Sequence, residues 1–295
     1  MCLCEVQARY MRGKCVVQAR CKPGSSEGRR SRARQDAVAE SSAAVAGNLR
    51  FEHISSLPAR FGLCVWLADL VKCPEMNTRR AELRRLTKET RIAVTLNIDG
   101  AGKSSIQTGI PFFNHMLTLF ARHAVVDLKL SCKGDLAVDA HHTVEDCGIA
   151  LGQAFVQALG DKKGIRRYGT GFDPRNPFTG EAYVPMDECL ARCVIDFSGR
   201  PYLVWRGLNE FACKSVSKAE KRQDMSSAFR FGLAREFFQG FANEARCNLH
   251  VELLYGDEPH HIAEALFKAF AKAVDAACLR DPRMAGQLPT TKGKL

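Results

Sequence analysis

The sequence predicts an α+β protein of two similar halves, each a mostly antiparallel β-sheet with helices packed on one face. Three observations carry this prediction. The pattern His-His-x-x-Glu occurs twice, at 141–145 and 260–264, and each copy opens an apolar run with helical spacing. A doubled phenylalanine precedes each copy, at Phe112 and Phe113 and again at Phe237 and Phe238. Around them lie short segments that alternate apolar and polar residues, the period of a strand with one buried face. Repetition of the whole plan points to two related halves.

Residues 1–75 stand apart. They form a basic arm, rich in serine and alanine and containing KPGSSEGRRSRARQ, whose composition reads as disordered. The first fifty residues hold ten Lys/Arg against four Asp/Glu, a net +6 out of +11 for the chain, so most of the basicity belongs to this arm. Met76 reads as the start of the folded part, 76–295, with halves at about 84–168 and 184–295.

In the first half, IAVTLNIDGAGKSSIQTG reads as strand, turn and strand, a hairpin closed by the Gly-rich turn. PFFNHMLTLFARHA has helical apolar spacing, VVDLKLSC returns to strand alternation, and KGDLAVDA reads as a further short strand before the helix that opens at HHTVED. The second half repeats the order. CLARCVIDFSGRPYLVW reads as strands, SSAFRFGLAREFFQGFANEA as a helix, NLHVELLYG as a strand and HHIAEALFKAFAKAVDAA as the closing helix. The Gly, Pro and Asn of GTGFDPRNPFTGEAY, 169–183, mark a loop between the halves.

Composition narrows the functional classes. Thirteen cysteines contain no CxxC pair, and the N-terminus has no continuous apolar stretch of the secretory kind. Reduced thiols of a cytoplasmic protein are the expectation, with an organelle-targeted protein as the alternative, because the arm is arginine-rich and poor in acids. The longest apolar stretch, FGLCVWLADLV, is too short to span a bilayer and contains Asp69, so no membrane partner is expected, nor a nucleic acid.

The two His-His-x-x-Glu helices carry the chemistry. Successive helical residues are turned by about 100°, so His141 and His142 cannot point at one spot, whereas Glu145 shares a face with either. Such a cluster can feed two metal ions lying on either side of its helix. His115, His123, His141, His142, His260 and His261, six of the eight histidines, lie in or near these stretches.

With these residues assembled, the chain resembles the imidazoleglycerol-phosphate dehydratase family from about Arg84 onward. The blocks that carry the resemblance are RLTKETRI, NIDGAGKSSIQTGIPFFNHM, GDLAVDAHHTVEDCGIALGQA, LGDKKGIRRYG, SGRPYLVW, HHIAEALFKAFAKA and PTTKG, in that order. The resemblance implies halves shaped like a ribosomal-protein domain. It also implies a homo-oligomer of about 24 subunits with its sites at subunit contacts. Metal ligands fall on His115, His141, His142, Glu145, His260, His261 and Glu264, a nitrogen and oxygen set suited to Mn²⁺, with two ions per active site. The implied substrate is a small phosphate ester, imidazoleglycerol phosphate. Its dehydration removes a proton from an unactivated carbon near an imidazole while the neighbouring hydroxyl is lost, which binding of the ring as imidazolate would make feasible. Glu89, in TKET, takes the proton-transfer role, with Glu145 and Glu264 as further carboxylates. Substrate contacts fall on Glu89, His123, Arg167, Arg200, Lys268, Thr290 and Lys292, where guanidinium groups would grip the phosphate in two-pronged fashion.

Three departures from the family pattern stand out. Asn114 replaces an aspartate that would orient the following histidine. Glu236 replaces a histidine ligand before the doubled phenylalanine and is expected to complete one metal site. The 169–183 loop is longer than usual. An alternative reading, a non-catalytic or weakened relative that keeps fold and assembly, rests on the first two changes. A two-metal hydrolase would use the same histidines but leaves TKET, SGRPYL and PTTKG without a role.

Overall fold

The computed structural model describes residues 79–169, 183–211 and 229–295, together with the backbone of 3–11, 14–22 and 40–41. The chain divides into two units, Met1–Asn77 and Thr78–Leu295. In the first unit, β1 (Leu3–Met11) and β2 (Lys14–Lys22) pair antiparallel, and β3 (Glu40–Ser41) lies beside β2. The rest of the N-terminal arm and nearly all of the loop expected at 169–183 lie outside the described residues.

The second unit opens with β4 (Arg80–Leu86) and β5 (Thr90–Asn97), an antiparallel pair joined by the tight TKET turn. Alternation decides which face is buried: Thr90, Ile92, Val94 and Leu96 point inward, while Arg91, Ala93 and Thr95 point out. Next come β6 (Ser104–Gln107), helix α1 (Pro111–His123), β7 (Asp127–Gly134) and helix α2 (His141–Leu159). The strand order is β4-β5-β7-β6.

This order overturns the hairpin expected at the DGAG turn. β5 pairs along its whole length with β7, from Thr90 opposite Gly134 to Asn97 opposite Asp127, and β6 lies on the far side of β7, parallel to it. Asp127 explains the crossing. Its Oδ1 accepts hydrogen bonds from the backbone N–H of Ala101 (2.8 Å) and Lys103 (3.0 Å), drawing the turn over the start of β7. A side chain at Gly100 would stand 2.2 Å from the Asp127 nitrogen, so only glycine lets the chain pass there. The additional strand expected at KGDLAVDA is also absent: β7 ends at Gly134 and the chain turns, with Val138 N–H donating to the Asp135 carbonyl.

The second half repeats this topology. β9 (Tyr183–Met186), β10 (Cys189–Asp196), β11 (Tyr202–Arg206), helix α3 (Gly232–Ala245), β12 (Asn248–Tyr255) and helix α4 (Pro259–Cys278) build a sheet in which β9 pairs β10, β10 pairs β12, and β11 runs parallel to β12. A two-residue strand, β8 (Tyr168–Gly169), leaves the first half and adds to β10. The two-halved α+β architecture read from the sequence is therefore the observed one. Among the described residues, no helix is long and apolar enough to cross a membrane.

The helices pack across the halves, α2 along α3 and α1 along α4. Phenylalanines supply this seam, the doubled pairs included: Phe113 meets Phe237 edge-on at 5.6 Å, Phe120 stacks on Phe270 at 5.0 Å, and Phe155 meets Phe241 at 5.6 Å. Alongside α3, α2 approaches at backbone distance. A Cβ at Gly148 would lie 2.3 Å from the Phe237 carbonyl oxygen, and one at Gly240 would lie 2.8 Å from that of Glu145. Gly148→Ala is therefore expected to lower unfolding free energy by about 1–3 kcal/mol through overpacking. Urea denaturation checks this, and an unchanged midpoint would contradict the close approach.

Candidate metal centre and phosphate cleft

Both helices that open with His-His start beside a carboxylate that accepts from the backbone N–H of their first histidine. Asp139 Oδ1 accepts from the His141 backbone N–H at 2.8 Å, and Glu258 Oε1 accepts from that of His260 at 3.2 Å. Pro259 occupies the first turn of α4, where its missing N–H costs nothing. The two imidazoles then splay by nearly a right angle in each helix, 86° between His141 and His142 and 90° between His260 and His261.

The first histidine of each pair reaches back along its own helix. His141 Nε2 lies 3.4 Å from Glu145 Oε2, and His260 Nε2 lies 3.2 Å from Glu264 Oε1, both at spacing i, i+4. Packing of α1 on α4 adds His115, whose Nε2 is 3.0 Å from the same Glu264 oxygen. Neighbouring ligands of one six-coordinate ion are separated by about 3 Å, the distance at which His115 and His260 each stand from the Glu264 oxygen. Even so, among the described residues no group of three or more such side chains is arranged to hold an ion within a single chain. Each cluster here is a partial one.

Glu264 is the most deeply placed of these carboxylates, its side chain 10 % exposed. Burial works against its charge, but Lys268 Nζ at 2.7 Å and the His115 contact outweigh burial and hold its pKa down at about 2. Lys268 thus stands at the His115–His260 cluster, not among the other predicted phosphate contacts. His123 follows His115 by two helical turns. Burial and the nearby charges of Lys272, Lys268 and Arg122 lower its pKa, which favours a neutral imidazole.

The second histidine of each pair uses its other nitrogen. His142 Nδ1 lies 3.0 Å from Asp135 Oδ2, and His261 Nδ1 lies 2.8 Å from Glu188 Oε2. These hydrogen bonds raise the pKa of both rings. On its Nε2 side, His142 faces Glu89 Oε1 at 3.8 Å. The TKET turn holds Glu89 there, because Thr87 Oγ1 accepts from the N–H groups of Glu89 (3.1 Å) and Thr90 (2.9 Å). This donor set, imidazole nitrogens and carboxylates with outer carboxylates on ring N–H groups, fits a divalent ion such as Mn²⁺.

Asn114 and Glu236, two of the departures from the family pattern, stand as follows in the helices. Asn114 does not turn to His115: its Oδ1 accepts from the N–H (2.9 Å) and Oγ1 (2.7 Å) of Thr108 and closes the turn before α1. Glu236 lies in the second turn of α3, its Oε1 3.6 Å from Arg235 Nη1. The contacts of Gly240 with Glu145 and of Gly148 with Phe237 put that turn at the same end of the seam as His141 and Glu145.

Arg167, Arg200, Thr290 and Lys292 line one cleft of about 570 Å³. Arg167 is committed there. Its Nε and Nη2 donate to the two oxygens of Asp196 at 2.7 and 3.1 Å, and Nη1 donates to the Pro289 carbonyl at 2.9 Å, which fastens the PTTKG segment over the cleft. Arg200 is exposed at this cleft, and Thr290 Oγ1 accepts from the Lys292 N–H at 3.1 Å. Asp135, Glu188 and Asp196 were not among the residues singled out from the sequence. The signal for Glu188 was available: it occupies the β9–β10 turn, as Glu89 occupies the β4–β5 turn.

The comparisons with known proteins agree with this geometry. The family model described as imidazoleglycerol-phosphate dehydratase matches residues 108–274. The imidazoleglycerol-phosphate dehydratase of a Polaromonas species is 51 % identical over 222 residues, covering 75 % of this chain and 97 % of that protein. The one from Albidiferax ferrireducens is 52 % identical over 217 residues, 74 % of this chain and 95 % of that protein. Among solved structures, the Staphylococcus aureus dehydratase matches with a TM-score of 0.53 at 36 % identity, over 68 % of this chain and 99 % of that one. The Pyrococcus furiosus one, in complex with (S)-C348, matches with a TM-score of 0.54 at 32 % identity, over 72 % of this chain and all of that one. The repeated halves, the paired histidine helices and these likenesses together mean that the chain belongs to the imidazoleglycerol-phosphate dehydratase family.

Proposed function

We propose that the chain dehydrates D-erythro-imidazoleglycerol phosphate to imidazoleacetol phosphate in histidine biosynthesis. Two Mn²⁺ ions serve each active site, and the centre is completed where subunits of a homo-oligomer, about 24 in number, meet. The observation that carries this reading is the matched pair of partial clusters on α2 and α4. Each has a His-Glu couple at i, i+4 and a second imidazole held by a carboxylate, and neither encloses an ion alone.

Bound Mn²⁺ supplies Lewis-acid polarisation of the substrate's imidazole. The remaining work falls to the chain's own groups. Arg200, Thr290 and Lys292 grip the phosphate, with guanidinium providing direction and ammonium a point charge. Arg167, tied to Asp196 and Pro289, keeps that cleft in shape and adds to its positive field. Glu89, on the Nε2 side of His142, accepts the proton from the middle carbon of the glycerol chain while the hydroxyl on the carbon beside the ring leaves as hydroxide, the two together making the water lost, and the enol left behind tautomerises to the ketone. Lys268 keeps Glu264 ionised, so that this carboxylate remains a ligand and not a proton donor. Glu236, at the His141 end of the helix seam, takes the place of a histidine ligand. The working compartment is the cytoplasm.

The full-length protein with added Mn²⁺ is expected to convert imidazoleglycerol phosphate to imidazoleacetol phosphate and to lose turnover on chelation. Assembled, metal-loaded protein without turnover would instead favour a non-catalytic relative. In Glu89→Gln, kcat should fall by about 10²–10⁴ with metal content unchanged; a smaller loss would move proton transfer to another carboxylate. Metal analysis of Glu236→Ala should return one Mn²⁺ per subunit in place of two, and retention of both would show that Glu236 is not a ligand.

A further inference from the structure

Each half carries one carboxylate, outside the ligand set, on the Nδ1 edge of the second histidine in its His-His pair. In the first half it is Asp135, just beyond β7; in the second it is Glu188, in the β9–β10 turn. The two do not come from corresponding places. Glu188 occupies the turn that Glu89 occupies in the first half, whereas Asp135 follows the central strand. The repeat therefore does not account for the shared contact, and a common demand on the ring does.

That demand is the placement of one hydrogen. A neutral imidazole has a single N–H, and a carboxylate at Nδ1 keeps it there, leaving the lone pair on Nε2. In both rings Nε2 is the nitrogen turned outward: His142 toward Glu89 at 3.8 Å, and His261 toward the well-exposed Asp187 carboxylate at 3.5 Å. Each carboxylate keeps one oxygen for the ring. Glu188 Oε1 accepts from the Glu258 N–H at 3.2 Å and from Cys189 Sγ at 3.0 Å, which leaves Oε2 for the ring. Asp135 Oδ1 is buried without a hydrogen-bond partner among the described residues, so the imidazole N–H is the donor given to this side chain. Asp139 and Glu258 do a separate job nearby, capping the backbone N–H groups of His141 and His260 without touching a ring nitrogen.

We propose that Asp135 and Glu188 are the positioning residues of the metal centre, fixing His142 and His261 as Nδ1–H tautomers and aiming each Nε2 at an ion. This rests on the two-metal reading above. Outer carboxylates of this kind commonly govern metal affinity by about 10- to 100-fold.

The test is Mn²⁺ affinity of the full-length assembled protein, measured by competition with a chelator, alongside thermal midpoints. Asp135→Ala and Glu188→Ala should each weaken Mn²⁺ binding by about 10- to 100-fold. Asp135→Asn and Glu188→Gln, whose amide oxygens still accept the ring N–H, should recover most of the affinity. The cap variants Asp139→Ala and Glu258→Ala should lower the melting temperature while changing Mn²⁺ affinity by no more than about threefold, because they release backbone and not ring. Equal affinity in wild type and the two alanine variants would overturn the proposal. So would losses that track melting temperature equally in positioning and cap variants. Wild-type protein that takes up no Mn²⁺ would overturn the two-metal reading and this proposal with it, whereas tight wild-type binding unmoved by the substitutions overturns this proposal alone.

Discussion

The close approach of helices from opposite halves is the constraint on which the rest depends. His141, His142 and Glu145 ride on α2, which lies along α3 at a separation only glycine permits at Gly148 and Gly240. His115 rides on α1 and meets Glu264 only because α1 lies along α4. The His260–Glu264 cluster therefore draws on both halves of the chain. Phenylalanines interlock between the same helices, so the burial that stabilises the domain also sets the spacing of the imidazoles. A fold built this way cannot loosen its core without moving its candidate ligands.

Charge is arranged in two zones. At the helix openings, carboxylates outnumber cations and each is engaged by an imidazole, an ammonium or a backbone N–H. At the PTTKG cleft the balance reverses: Arg167, Arg200, Lys292 and Lys294 line it, and Asp196 behind Arg167 is occupied by that guanidinium. That separation suits a substrate with a neutral ring at one end and a phosphate at the other. Arg167 also shows how a residue that reads as a ligand-binding cation can serve mainly as a clamp, since three of its donors are spent inside the protein.

Much of the site was legible in sequence because its signals are local. His-His-x-x-Glu is a helical spacing, and the structure returns the His141–Glu145 and His260–Glu264 couples that spacing predicts. The residues missed are those whose role depends on a distant partner. Asp135 is seven residues from His142, with nothing in the local pattern to pair them, and Glu188 is seventy-three from His261, related to it only through the repeat that matches its turn to that of Glu89. Asn114 shows the reverse: its place beside His115 in sequence suggested an orienting role, but the helix turns its amide toward Thr108.

By itself, the sequence determined the class, the repeat and the faces, because alternation and helical period act over a few residues. It announced Ile92, Val94 and Leu96 as one buried row and the two histidine helices as equivalents. Strand order was beyond it. The DGAG turn carries every local mark of a hairpin, yet β6 passes over β7, because a full-length pairing of β5 with β7 and the Asp127 contacts outweigh what a turn can impose. Convergence of His115 with His260 and Glu264, and of Arg167 with Asp196 and Pro289, was likewise decided only by tertiary packing, which brings together side chains that no sequence period relates.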